Sequence, residues 1–262
     1  MSKKLLSIVS TERKKGNSVL ASKYIAKALN AELEIINLVK KDIRPCKACY
    51  RCLYGEDCKI DDDVEEILRK IDECDVLLIS SPVYWLDATG NLKAFIDRCF
   101  MSMKYFERFK NKKGVVLTFH GFEDMKGWAS ATHLVLAKVL GVDVLANIEI
   151  KSALPAEMFM TESIKKLDLV AEAIKEEKRV VMDGQCPVCL NTVFRVIDGK
   201  LDCPVCGSLL DTELNILKRG ERFTPEWVVK HFSVELIGLK EKYKEIKDEL
   251  KRQTEMIFGE SD

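Results

Sequence analysis

Two groups of cysteines stand out for the chemistry their spacing allows. The stretch CKACYRCLYGEDC places Cys46, Cys49, Cys52 and Cys58 within thirteen residues, spaced C-x2-C-x2-C-x5-C. Three thiols at two-residue gaps reach three corners of a cubane iron-sulfur cluster, and a fourth closes it from the next turn. The last gap of five, with Lys59 after it, differs from the ferredoxin run, where the gap is three and a proline follows. A tetrahedral zinc site ordinarily uses two separated knuckles rather than one compact run. The second group has that form: Cys186-x2-Cys189, thirteen residues, then Cys203-x2-Cys206, each pair reading CPVC. Two knuckles joined by a short hairpin, with Asp198, Gly199 and Lys200 at its turn, enclose one tetrahedral S4 metal, zinc or iron. So small a unit has no core of its own, and the metal must supply much of its folding energy.

A third group is polar. In STERKKGNS, Ser10, Thr11, Asn17 and Ser18 offer hydroxyls and an amide, and Arg13 and Lys14 offer charge. The helix that follows offers unpaired N–H groups. This set suits a phosphate monoester; read plainly, it is a solvated loop with an ordinary Asn/Ser cap. Neither GxGxxG nor GxxxxGK[ST] occurs, which disfavours a dinucleotide site and excludes a P-loop. In SSPVYW, an apolar run ends at Ser80 and Ser81, and Pro82, Val83, Tyr84 and Trp85 follow. Tyr84 and Trp85 can wall a flat ring whose polar edge meets the N–H groups after Pro82; equally they fit as core residues.

These residues need a frame. Apolar runs at 4–10, 31–39, 76–84, 112–121 and 142–150 read as strands. Helical spacing fills 17–30, 61–75, 91–100, 128–141 and 161–181 between and after them, with Asn17 and Ser18 as caps of the first helix. Near-continuous apolar strands alternating with helices predict a doubly wound parallel α/β sheet of five strands. The texture changes after residue 182. The expected units are an α/β domain over 1–182, a four-cysteine metal knuckle unit over 183–212 and a helical extension over 213–262. In that extension Thr224 caps a helix with Pro225 at its first position. Its stripe of Trp227, Val228, Phe232, Leu236, Leu239, Tyr243, Ile246 and Leu250 must be buried on its own domain or on a partner subunit.

The 262 residues carry 42 basic and 42 acidic side chains, so no global attraction to nucleic acid is expected. The knuckle unit has only Arg195 and Lys200 as basic residues, thin for a nucleic-acid site. No apolar run reaches the ~20 residues that span a bilayer, and LLSIV near the start is too short for a secretion signal. The expected compartment is the cytoplasm, where ten cysteines mean metal, cluster or redox chemistry rather than disulfides. Cys74 and Cys99, on helix-like stretches, read as packed thiols.

In order along residues 1–180, STERKKGNS, the four-cysteine loop, the DDD at 61–63 and SPVYW…NLKAFIDR together resemble the NADPH-dependent FMN reductase-like flavoproteins, and among them the iron-sulfur flavoproteins. The resemblance implies a flavodoxin-like fold binding FMN, with the phosphate in the 11–18 loop and the ring beside residues 82–85. It implies a further loop at 118–121 closing over the ring, with His120 and Gly121 near it, although His120 also reads as an exposed loop residue. It implies a [4Fe–4S] cluster on Cys46, Cys49, Cys52 and Cys58, NAD(P)H or ferredoxin as electron donor, and a homodimer or homotetramer with FMN near a subunit interface. Ser10, Thr11 and Glu12 depart from the family's usual Gly-Ser-Pro, while Arg13, Gly16, Asn17 and Ser18 match. The CPVC unit is similar to rubredoxin if it holds iron and to a zinc ribbon if it holds zinc. Sparse aromatics and Leu190, where rubredoxin has glycine, favour zinc; the flavin domain beside it favours iron. Two alternatives stay open: a flavoprotein without a cluster, and a non-enzymatic zinc-ribbon adaptor.

Overall fold

The five apolar runs become the strands of one parallel sheet, in a computed structural model that describes residues 2–259. The strands are β1 (Lys4–Val9), β2 (Glu32–Asn37), β3 (Val76–Pro82), β4 (Lys113–His120) and β5 (Asp143–Lys151), in the order β2-β1-β3-β4-β5. This is the flavodoxin-like doubly wound order. Alternate residues of each inner strand feed two cores. Leu5, Val76, Leu78, Val115 and Leu117 meet α1 (Asn17–Leu29) and α6 (Ser163–Glu176) on one face. Leu6, Ile8, Leu77, Ile79 and Val116 meet α2 (Val64–Glu73), α3 (Gly90–Arg98) and α5 (Ala129–Val139) on the other. A short α4 (Phe106–Phe109) leads into β4.

Asn17 and Ser18 do not cap α1, contrary to the expectation from sequence. Gly16 occupies the cap position without a side-chain bond, and Asn17 opens the helix itself. Cys74 and Cys99 are packed thiols whose Sγ atoms donate to Ile71 O and Phe95 O.

After α6 the chain turns back along the outer edge of β5. Three alternate outward carbonyls of that strand find partners there: Leu145 O accepts from Val180 N at 2.8 Å, Asn147 O from the Gln185 side chain, and Glu149 O from Lys166 Nζ at 2.8 Å. The knuckle unit follows as a four-stranded antiparallel sheet of β6 (Arg195–Ile197), β7 (Lys200–Asp202), β8 (Leu209–Leu210) and β9 (Ile216–Lys218). Asp198 and Gly199, at φ 49° and 71°, make the type I′ turn that joins β6 to β7. Because β9 belongs to this sheet, the unit runs past residue 212.

Thr224 caps α7 (Pro225–Lys230), its hydroxyl accepting from Trp227 N at 3.3 Å. A π turn over His231–Glu235 joins α7 to α8 (Leu236–Phe258). Only the first part of the expected stripe finds a wall: Val228 and Phe232 are buried against Phe106, whereas Leu239 is 62% exposed and Tyr243, Ile246 and Leu250 are also exposed. No helix among the described residues is long and apolar enough to cross a membrane.

Candidate functional site

The loops leaving the carboxyl ends of β1, β3, β4 and β5 enclose a cavity of about 240 Å³, placed where an open α/β sheet takes its ligand. Thr11, Arg13, Gly16, Asn17 and Ser18 line one side, Pro82, Val83 and Tyr84 another, and His120, Gly121 and Ser152 a third. The first loop is tightly wound. Gly16 N donates to Arg13 O at 3.0 Å, and Arg13 N to Thr11 Oγ1 at 3.2 Å. A Cβ on Gly16 would lie 3.2 Å from Arg13 Cβ and O and 3.3 Å from Thr11 Oγ1, so any larger residue there must push the winding apart by a few tenths of an ångström. Since no side chain caps α1, the N–H groups of Asn17 and Ser18, two residues of the cavity wall, are left free to bind an anion. Asn17 instead ties the loop to the end of β5: its Nδ2 donates to Ser152 O at 2.8 Å and its Oδ1 accepts from Ala156 N at 2.9 Å. Ser10 lies buried behind the loop and accepts from the Thr89 hydroxyl. Lys14 faces a neighbouring cavity with Glu12, Lys40 and Lys41.

On the opposite wall, Val83 N donates to Phe119 O at 2.8 Å, and Tyr84 and Asp87 exchange backbone bonds of 2.8 and 3.1 Å. Between them Trp85 and Leu86 sit at φ 49° and 66°. Two bulky residues in a type I′ turn are strained, and the turn persists only because its surroundings over-determine it. Trp128 N donates to Leu86 O at 2.8 Å, and Thr132 Oγ1 donates to Asp87. Burial opposes the Asp87 charge, but the bonds from Thr132 and from Ala88 N–H hold its carboxyl below the usual range. Trp85 is 93% exposed and Tyr84 52%, so neither is a core residue. His120 departs from the exposed-loop alternative: it is buried at the end of β4, Nδ1 3.1 Å from Phe122 O. Behind Pro82, Ser81 Oγ and His133 Nε2 are buried without partners, while His133 Nδ1 pairs with Thr118 Oγ1 at 2.8 Å.

Cys46, Cys49, Cys52 and Cys58 line a second cavity, of about 310 Å³, with Phe100, Met101 and Arg98. Ala48 and Tyr50, at φ 48° and 58°, bend the backbone around it, and Ala48 N donates to Cys46 Sγ at 3.4 Å. Burial first, then the facing Cys58, Cys46 and Cys49, push the Cys52 thiol up to about 11. Four thiolates here repel one another and are stable only around positive charge. Arg98 is buried, forms a two-armed ion pair with buried Asp62, and donates to Arg44 O at 2.8 Å and to Cys58 Sγ at 3.5 Å. Thr89, at the other end of the same helix, contacts Ser10. α3 thus runs from the back of the first loop to the cysteine cavity, Thr89 and Arg98 lying nine residues apart, about 13.5 Å along the helix.

The CPVC pairs form two matching knuckles. Leu190 N donates to Cys186 O at 2.8 Å and Gly207 N to Cys203 O at 2.9 Å. Leu190 and Gly207 hold similar φ, 69° and 78°. All four sulfurs are buried and within 4.8 Å of one another, and a tetrahedral S4 site with ~2.3 Å bonds has edges of about 3.8 Å. Among the described residues this is the one Cys/His/Asp/Glu group so closely gathered. Cys46, Cys49, Cys52 and Cys58 are not gathered so closely. Hydrogen bonds from Cys186, then Cys189 and Cys203, hold the Cys206 thiol well below its ordinary value. The unit is not a pendant: Leu190 is fully buried in the core beside α5, and Asn147 Nδ2 donates to Leu190 O at 2.9 Å.

The model of the NADPH-dependent FMN reductase family matches residues 3–151, which contain both the edge cavity and the cysteine loop. The chain belongs to this family. As a member it is an FMN-dependent oxidoreductase. It is 30% identical over 190 residues to an iron-sulfur flavoprotein of Archaeoglobus fulgidus, a match covering 68% of this chain and 94% of the relative. It is 38% identical over 101 residues to an iron-sulfur flavoprotein of Methanocaldococcus jannaschii, of which it spans about half, 51%. A solved structure titled flavone reductase shares the fold, with a TM-score of 0.63 at 19% identity, covering 94% of this chain and 91% of its own.

In this FMN reductase family member the residues of the edge cavity fit FMN. The glycine-wound loop and free helix end suit a phosphate, and the cleft between residues 82–84 and 120–121 suits a flat ring. Trp85 reaches outward instead, and Lys14, Ser10 and Ser81 lie off the cavity wall. Sequence reading gave no role to Asp87 or Thr132, and it met Asp62 and Arg98 only as members of the DDD and NLKAFIDR motifs. Nothing in SPVYWLDATGNLKAFIDR, which also holds Lys93 and Asp97, sets Asp87 or Arg98 apart.

Proposed function

We propose that the protein passes electrons between a soluble donor, FMN in the edge cavity and a [4Fe–4S] cluster held by Cys46, Cys49, Cys52 and Cys58. The carrying observation is α3, which joins Thr89 beside the phosphate loop to Arg98 at Cys58. FMN supplies exchange between two-electron and one-electron carriers. The chain's residues do the rest. Thr11, Arg13, Ser18 and the α1 N–H groups hold the phosphate; Asn17 fixes the loop. Pro82, Val83, Tyr84, His120 and Gly121 seat the ring. Asp87 and Thr132 hold the turn that presents it. Arg98 offsets thiolate charge at the cluster. NAD(P)H is the donor the family name favours, ferredoxin the one the cysteine loop favours. The exposed rim of Tyr84, Trp85, Phe122, Trp128 and Leu154 suits cover by a second copy in a homodimer or homotetramer.

At the CPVC unit we assign zinc. Its docking point, Asn147, lies five residues before Ser152 of the flavin cavity, about 16 Å along a strand, and Leu190 seals it into a core. Anaerobic purification tests the whole reading. About four irons and four sulfides per chain with flavin absorbance, and zinc at the knuckles, support it. A fifth iron with no zinc would replace the ribbon by a rubredoxin-like centre. A colourless protein that cannot be reconstituted with FMN sinks the flavin reading. Bleaching of the flavin by NADPH, or only by reduced ferredoxin, decides the donor.

A further inference from the structure

Residues outside the family-matched segment close over the cysteine loop. α7, the π turn and the start of α8 lay Val228, Phe232 and Leu236 on a wall made by Leu53, Phe100, Met103 and Phe106. Phe232 meets Phe100 edge-on at 5.8 Å, and Phe100 meets Tyr50 in the same way at 5.3 Å. One turn further on, Lys240 Nζ donates to the carbonyl of Cys49 and lies 5.4 Å from the centre of the Tyr54 ring. The Tyr54 hydroxyl donates to Glu241 at 2.9 Å. Thus the stretch 49–54, which carries Cys49 and Cys52, is held from outside by the carboxyl-terminal segment.

The four contact residues, Val228, Phe232, Leu236 and Lys240, recur every four positions. In an unbroken α-helix each such step overshoots a turn by about 40°, and three steps carry the last residue about 120° round the axis from the first. The π turn at His231–Glu235 accommodates an extra residue and so takes up part of that drift. It keeps Lys240 on the side of the helix that Phe232 buries.

We propose that this segment is a clamp holding the cysteine loop in its ligating shape, with Phe232 and Lys240 as positioning residues. The proposal rests on the reading of Cys46, Cys49, Cys52 and Cys58 as cluster ligands. Lys240 at Cys49 O and Arg98 at Cys58 Sγ then place positive charge on two sides of a group whose thiolates are negative. Such outer contacts both orient ligands and favour the charged form. The phenylalanines keep water from that flank.

The test uses the full chain, metal-free and anaerobic, with rates of alkylation by iodoacetamide resolved for each cysteine by mass spectrometry. Lys240→Ala removes no buried packing, and Phe232→Ala removes the aromatic anchor. Both should speed alkylation of the half-buried Cys52 about fivefold, the scale of one lost ordinary hydrogen bond of about 1 kcal/mol. Cys74 and Cys99, in the untouched core, should keep their rates and report that the fold is intact. Lys240→Arg, retaining the charge, should stay within about twofold of the parent. After reconstitution with iron and sulfide, loss of iron to a chelator should quicken in the same order. Unchanged rates at Cys52 in both alanine variants overturn the clamp. A chain that takes up no iron overturns the cluster reading instead, and the alkylation rates still decide the clamp.

Discussion

Arg98 is the residue on which the cysteine cavity turns. Its guanidinium is buried with Asp62, and breaking such a pair leaves a charge without a partner, at a cost of about 3–5 kcal/mol. Arg98→Ala should therefore lower the unfolding free energy of the metal-free chain by that amount in urea, and Arg98→Lys by less, since Asp62 keeps a positive partner although one ammonium cannot hold both of its oxygens. His133 makes a second residue-scale prediction. Burial pushes its pKa down to about 4, from 6.5. Between those values the unfolded chain binds a proton that the fold refuses, so its contribution is complete above pH 6.5 and is lost as pH falls towards 4. That amounts to about 3 kcal/mol. The difference in unfolding free energy between the parent and His133→Gln, followed across this window, should shrink as the pH drops; a constant difference counts against it. Neither role was legible beforehand. An arginine ending an amphipathic helix and a histidine inside another look like surface residues until the strands are placed.

At the scale of elements, the strands were readable because two-sided burial leaves unbroken apolar runs, and the cysteine spacings because ligand geometry constrains them. The turn at 84–87 was not, because Trp85 and Leu86 violate the residue preferences that announce a type I′ turn. Nor was the π turn, which has no composition of its own. Asn17 was misread as a cap because a cap and a tether to the β5 loop use the same amide. The winding of the first loop carries a clear prediction. Gly16→Val would force atoms into the 3.2 Å approaches at Arg13. It should weaken FMN binding by at least about tenfold, or 1.4 kcal/mol, in a fluorescence titration, with the far-UV spectrum unchanged.

For the whole molecule, the three units anticipated from composition are tied by contacts that composition does not reveal. The ribbon shares the core beside α5 through Leu190, and the terminal helices share a cluster with Phe106. A metal that folds the ribbon therefore also supports the sheet. Cys203→Ser should release it and lower Tm by about 10 °C, roughly 3 kcal/mol for a chain of this size, and chelator should bring the parent down to the variant's value. The row of outward carbonyls on β5 gives that coupling a further outcome. Leu145, Asn147 and Glu149 are silenced by Val180, Gln185 and Lys166, and two of those three lie on the strap leading to the first knuckle. Stripped of its metal, the strap can peel away and bare a long apolar strand able to template its neighbours. Light scattering should then rise with protein concentration after chelation, while flavin remains bound. Metal starvation would remove this protein by insolubility before it dulled its redox chemistry.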